Sequence, residues 1–134
     1  MDYLKFIKDN ALSAALFCGG EAVATSADHG VLPLLRFFRA GKLRGAILAD
    51  KAIGRAAASL AAEGGAVRVF ALVGSDAGAE VLDAAGIPFE FAERVPVIKR
   101  PDGQTCLMER ITAGSRTPAE AVRRLEAHFA EKGL

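Results

Sequence analysis

The chain is poor in the residues that usually betray a metal site or a disulfide framework. Its 134 residues include two cysteines, two histidines and no tryptophan. Cys18, Cys106, His29 and His128 are the whole supply of soft ligands, with no Cys-x-x-Cys and no His-x-x-x-His spacing among them. A structural zinc site wants four such ligands at close intervals, and a stapled secreted scaffold wants several cysteine pairs, so neither is expected. An excess of one charge is missing too. Seventeen basic residues meet sixteen acidic ones, for a formal net charge of +1. No domain-wide positive field exists to hold nucleic acid or an anionic membrane by charge alone, and neither partner is expected. No apolar run approaches the roughly 20 residues of a membrane span. The start, Met1-Asp2-Tyr3-Leu4-Lys5, lacks the basic lead and apolar core of a secretory signal. A cytoplasmic, reducing location is the expectation.

What is present is the balance of an ordinary globular domain, 51% hydrophobic and 25% charged. The length suits one core, so residues 1–134 are expected to form a single domain. Leu4 and Ile7 share one face of a short helix from about Asp2 to Asn10. Leu12 to Cys18 and Glu21 to Thr25 read as strands joined by Gly19-Gly20, a pair that supplies the positive φ of a tight hairpin. Asp28-His29-Gly30 is a loop, and His29 within it reads as a turn residue. Leu32, Leu35 and Phe38 follow at helical spacing, with Pro33 in the first turn and Gly41 as the stop. The basic residues Arg36, Arg39, Lys42 and Arg44 read as the solvated end of that helix.

The centre is clearest. Ala46-Ile47-Leu48-Ala49 is a short apolar run, as in a strand buried on both faces. Asp50-Lys51 then opens an alanine-rich helix to about Glu63, ended by Gly64-Gly65. Val67 to Val73 is a second strand, and Gly74-Ser75-Asp76 leads into a helix ending at Gly86. Ile87, Phe89 and Phe91 alternate with polar or small residues, and Pro88 points to an edge strand. Strand, helix, strand, helix, strand predicts a locally parallel sheet, which the early hairpin makes mixed. Val95 to Arg110 reads as a long loop with one short strand near Val97-Ile98, because Pro96, Pro101-Asp102-Gly103 and Thr105 mark turns. Thr117-Pro118-Ala119-Glu120 is a capping box, and Val122, Leu125 and Phe129 stripe the last helix.

From the hairpin to Glu109, roughly two thirds of the chain, an ordered set of fragments stands out: Asp50-Lys51-x-x-Gly54-x-Ala56-Ala57, Gly64-Gly65, Gly74-Ser75, Ala85-Gly86-Ile87-Pro88 and Cys106-x-Met108-Glu109. In these the chain resembles the prokaryotic family designated domain of unknown function 1893. The resemblance implies an α/β, three-layer fold like that of cytidine deaminases: a mixed five-stranded sheet, beginning with a hairpin and flanked by helices. It also implies a homo-oligomer, since deaminase-like domains often associate through helices near their site. The alanine-rich helix fits close packing, onto the sheet or onto a partner helix alike.

The chemistry of zinc deaminases does not carry over. They need His or Cys two residues before a proton-shuttling Glu at one helix start, and Pro-Cys-x-x-Cys at the next. Aligning Asp50 with the first ligand puts Ala52 at the Glu position, and Ser75-Asp76-Ala77-Gly78 has no thiols. No metal and no cofactor are expected. Cys18 reads as a buried strand cysteine. The two helix starts still favour phosphate or carboxylate through their free N–H groups. Lys51 and Ser75 would donate to such an anion, Asp50 would accept from a ribose hydroxyl or base amine, and Gly54 and Gly74 would permit close approach. Asp50, Ser75 and Asp76 are equally good as plain helix caps. Cys106 near Glu109 reads either as structural or as a nucleophile wanting a basic partner, with His29 the one candidate. Three functions stay open: a domain binding a nucleotide or related small molecule, a metal-free transferase or hydrolase using Cys106 or Asp50 with Lys51, and a scaffold module. The candidate ligand-binding set is Asp50, Lys51, Gly54, Gly74, Ser75, Asp76, Cys106 and Glu109.

Overall fold

The computed structural model describes residues 1–134. A short helix, α1 (Tyr3–Asp9), is capped by Asp2, whose carboxylate accepts the Lys5 amide. The hairpin of β1 (Ala14–Cys18) and β2 (Glu21–Ser26) follows, turned by Gly19 and Gly20 at φ +59° and +82°. Helix α2 (Leu32–Arg39) has its proline in the first turn. Then come β3 (Ile47–Ile53), α3 (Arg55–Gly64), β4 (Arg68–Ser75), α4 (Asp76–Ala84) and β5 (Phe89–Val95). Two helices close the chain, α5 (Leu107–Thr112) and α6 (Pro118–Glu131). The sheet order is β2-β1-β3-β4-β5. Strand β1 is antiparallel to both neighbours, while β3, β4 and β5 are mutually parallel. The sheet is therefore mixed and open, as the chain's alternation predicts.

Side chains alternate across the sheet, and each set meets its own helical layer. Ala15, Phe17 and Ala49 face α1, where Ile7 is fully buried and Tyr3 stacks near Phe17 and Phe70. Leu16, Leu48, Val69 and Ala71 face the other way, into a larger core with Leu35, Leu60, Leu82 and Leu125 from α2, α3, α4 and α6. Three layers result: α1, the sheet, and the remaining helices. Helix α3 is their hub, packed by α2, α4, α5 and α6. Its alanines are consumed inside the chain, where small side chains let four helices approach.

Three expectations need correction. Asp50-Lys51 does not open a helix; β3 runs on to Ile53, and Gly54 is the N-cap of α3. Pairing decides this, because Asp50 lies opposite both Ala14 and Ala71 and the Lys51 amide donates to Ser13 at 3.0 Å. The strand at Val97-Ile98 is absent, replaced by a tight turn around Pro101-Asp102-Gly103 closed by a single Lys99–Thr105 bridge. The loop reading also missed α5, six residues long and packed on α3 and α6. Its signal was present in the helical spacing of Met108 and Ile111 and the stop at Gly114, but one and a half turns give little period to read.

Candidate functional site

The two helix starts that the fold sets at the carboxyl ends of the parallel strands are both answered from within the chain. At α3 the answer comes from α5. Glu109 Oε1 accepts the Arg55 amide at 2.8 Å, which brings a carboxylate to the positive end of the helix. Gly54 makes the approach possible, because a Cβ there would stand 1.4 Å from that same oxygen. At α4 the Ser75 hydroxyl, fully buried, accepts the Gly78 amide at 3.0 Å. Asp76 turns outward and pairs with Arg94 at 2.8 Å. Gly74 is bare for packing reasons, since a Cβ would meet the Phe91 ring at 2.1 Å. Gly78 lets α4 press against the backbone carbonyls of Ile53 and Gly54.

The predicted residues consequently divide. Asp50, Lys51, Gly54, Cys106 and Glu109 line one cavity of about 230 Å³. Gly74, Ser75 and Asp76 do not reach it. The loop carrying His29 and Gly30 forms another wall, tied down by the Ser13 hydroxyl, which bonds the Ser26 carbonyl at 3.0 Å and also approaches that of Asp28. Met108, Ile98 and the first alanines of α3 supply the apolar surface. His29, a turn residue by its sequence context and the one candidate partner for Cys106, lines the same cavity as that thiol. Its place in the cavity follows from the hairpin bringing its loop beside the end of β3, a non-local event.

Electrostatics in this cavity are dominated by two carboxyl groups. Asp50 is half-buried as a residue and lines the cavity, and loss of hydration raises its pKa to about 7. The Ala52 amide, 3.4 Å from Oδ1, opposes that shift weakly. Burial likewise raises the pKa of Glu109, against the pull of the Arg55 amide and guanidinium. Asp50 is thus poised to give or take a proton near neutrality.

The thiols stand apart. Cys106, half-buried, is the N-cap residue of α5, and its amide donates to Ile98 at 3.0 Å. Cys18 is exposed at the hairpin end of β1, not buried as its strand context suggested. It lies at the opposite end of the strand from Ala14, the residue paired with Asp50. No three His, Cys, Asp or Glu side chains converge as a metal cluster. No helix is long and apolar enough to cross a membrane. A second cavity of about 280 Å³ opens between α3, α4 and the α5–α6 turn, and none of the predicted residues lines it.

Comparison with known proteins gives one consistent relationship. The family profile TM1506, "Domain of unknown function (DUF1893)", matches residues 3–129. The crystal structure of a DUF1893 family protein (TM1506) from Thermotoga maritima superposes with a TM-score of 0.87, at 26% identity, over 94% of this chain and 86% of that one. No curated protein matches the chain.

Proposed function

The chain belongs to the DUF1893 family, and on that footing we propose that it is a small-molecule-binding domain with its ligand in the Asp50–Glu109 cavity. One observation carries the reading: two carboxyl groups of raised pKa, from β3 and α5, line the same partly apolar cavity. Such a pair offers acceptors to amine or hydroxyl donors, and a protonated member offers a donor in return. A nucleoside or similar ligand of one or two rings fits this chemistry. The volume is below the roughly 300–1,000 Å³ typical of drug-sized ligands, which favours a compact molecule. A phosphate at the α3 start is disfavoured, because Glu109 already holds the Arg55 amide.

A cytidine deaminase-like architecture is part of this proposal as fold only. With α3 beginning at Arg55, the positions to compare with the deaminase ligand and proton carrier are Gly54 and Ala56, rather than Asp50 and Ala52. Neither bears a donor, and the space beside Gly54 is filled by Glu109. A zinc ion of that kind does not fit these residues, and no step is derived through one. The free thiols favour a reducing, cytoplasmic setting.

A metal-free enzyme is the second reading, favoured by Cys106 and His29 lining the same cavity as Asp50. It would use the thiol as nucleophile and Asp50 as proton carrier. Thermal-shift measurement against nucleosides, nucleotides and sugars tests both. A ligand that raises the Tm of the natural chain and not of Asp50→Asn is expected. If no compound shifts either protein, the binding reading fails and a scaffold role takes its place.

A further inference from the structure

The second cavity, on the far side of α3 from the Asp50–Glu109 site, carries its own chemistry. Arg55 and Ser59 stand one turn apart on α3, and Ser115 and Arg116 enter from the α5–α6 turn. Both guanidiniums lack an ion-pair partner in the chain. Both hydroxyls are buried, with Ser59 1% and Ser115 8% exposed, and neither oxygen has a hydrogen-bond partner. Buried hydroxyls without partners are disfavoured, and here two belong to residues lining one opening alongside two arginines without a direct ion pair, of which Arg55 also acts at longer range on Glu109. The turn that presents them is held in place. The Ser115 amide donates to Thr112 at 3.0 Å, and the Arg116 amide to Glu120 Oε2 at 2.8 Å.

We propose that this cavity binds the phosphoryl group of a small phosphomonoester. A carboxylate has two oxygens to satisfy, whereas a phosphoryl group has three and can engage two forked guanidiniums together, with the Ser59 and Ser115 hydroxyls turning to it about their Cα–Cβ bonds on binding. Val81 and Ala84 of α4, with its C-cap residue Ala85, provide an apolar wall for the esterified part of the ligand. Glu80, exposed, also lines the cavity and opposes the anion. Even so, the two arginines outnumber it.

Calorimetric titration with inorganic phosphate and with phenyl phosphate, at constant ionic strength, tests the assignment. Saturable binding of both is expected, tighter for phenyl phosphate. Arg116→Gln, at an exposed position, should weaken it at least tenfold and Ser115→Ala several-fold. Glu80→Gln should tighten it two- to fivefold, and Arg36→Gln should leave it unchanged. If Arg116→Gln does not fold, amide shifts of Ser115, Arg116 and Ala119 in the natural chain on adding phosphate serve instead. No saturation at tens of millimolar overturns the proposal. So does binding indifferent to these substitutions, amides that do not shift, or malonate binding as tightly as phosphate.

Discussion

The Glu109 carboxylate occupies the space that a side chain on Gly54 would need, and from there it caps α3 through the Arg55 amide. Gly54 has φ −106° and ψ −164°, a conformation open to any residue, so its glycine answers a steric demand and not a torsional one. One contact thus joins a helix start just past the end of β3 to a short helix from a segment rich in turn signals.

Gly54→Ala should therefore destabilise the fold by roughly 1–3 kcal/mol, the usual cost of forcing extra volume into a packed site. Urea denaturation measures it. The double variant with Glu109→Ala should be less destabilised than the sum of the two single changes, because removing the carboxylate frees the space. Strict additivity would mean that the two residues do not compete.

Stability should fall as pH rises from about 4 towards 7 and level off above neutrality. Asp50 is held at about 7 in the folded state against an ordinary value of 3.8. Between those values the native chain binds a proton that the unfolded chain has released, so the unfolding free energy decreases with pH across that window. The slope is at most about 1.4 kcal/mol per pH unit for one group. Glu109, also raised, acts in the same direction. Asp50→Asn should flatten most of the difference between pH 5 and pH 8 in thermal melts. A natural chain more stable at pH 8 than at pH 5 would contradict the burial of both groups.

Ser75→Ala should cost about 0.5–2 kcal/mol through loss of the α4 cap. It should leave affinity for a cavity ligand unchanged, since Ser75 does not line the cavity. Asp76→Ala, removing an exposed ion pair, should cost less than about 1 kcal/mol. Parallel melts and titrations separate the two helix starts. Loss of binding in Ser75→Ala would return the ligand to the α4 start.

Thiol labelling reads the cavity directly. In a Cys18→Ser background, iodoacetamide should modify Cys106, which keeps partial exposure. A ligand found by thermal shift should slow that modification several-fold. Equal rates with and without ligand would move the ligand away from the α5 start.

Gly74→Ala should be as damaging as the Gly54 change, since the Phe91 ring stands 2.1 Å from the added carbon. Phe91→Ala should relieve part of the loss in a double-mutant cycle.

Much of the architecture was legible in short-range patterns. Alternation and punctuating glycines marked the hairpin, the parallel strands and the edge strand, and the cap at Thr117 is present, its hydroxyl accepting the Glu120 amide. Such features depend on neighbours a few residues apart, so periodicity and turn chemistry reveal them. The end of β3, the existence of α5 and the division of the candidate site did not yield to the same reading. Asp50-Lys51 looks like a helix start in isolation, and only the partners at Ala14 and Ala71 keep it in the sheet. Whether a helix start is free for an anion depends on what reaches it, and Glu109 comes from 54 residues further along the chain. Local propensity is a matter of a few tenths of a kcal/mol per residue. Strand pairing and the desolvation of a carboxylate outweigh it, and those exist only once the chain has closed on itself.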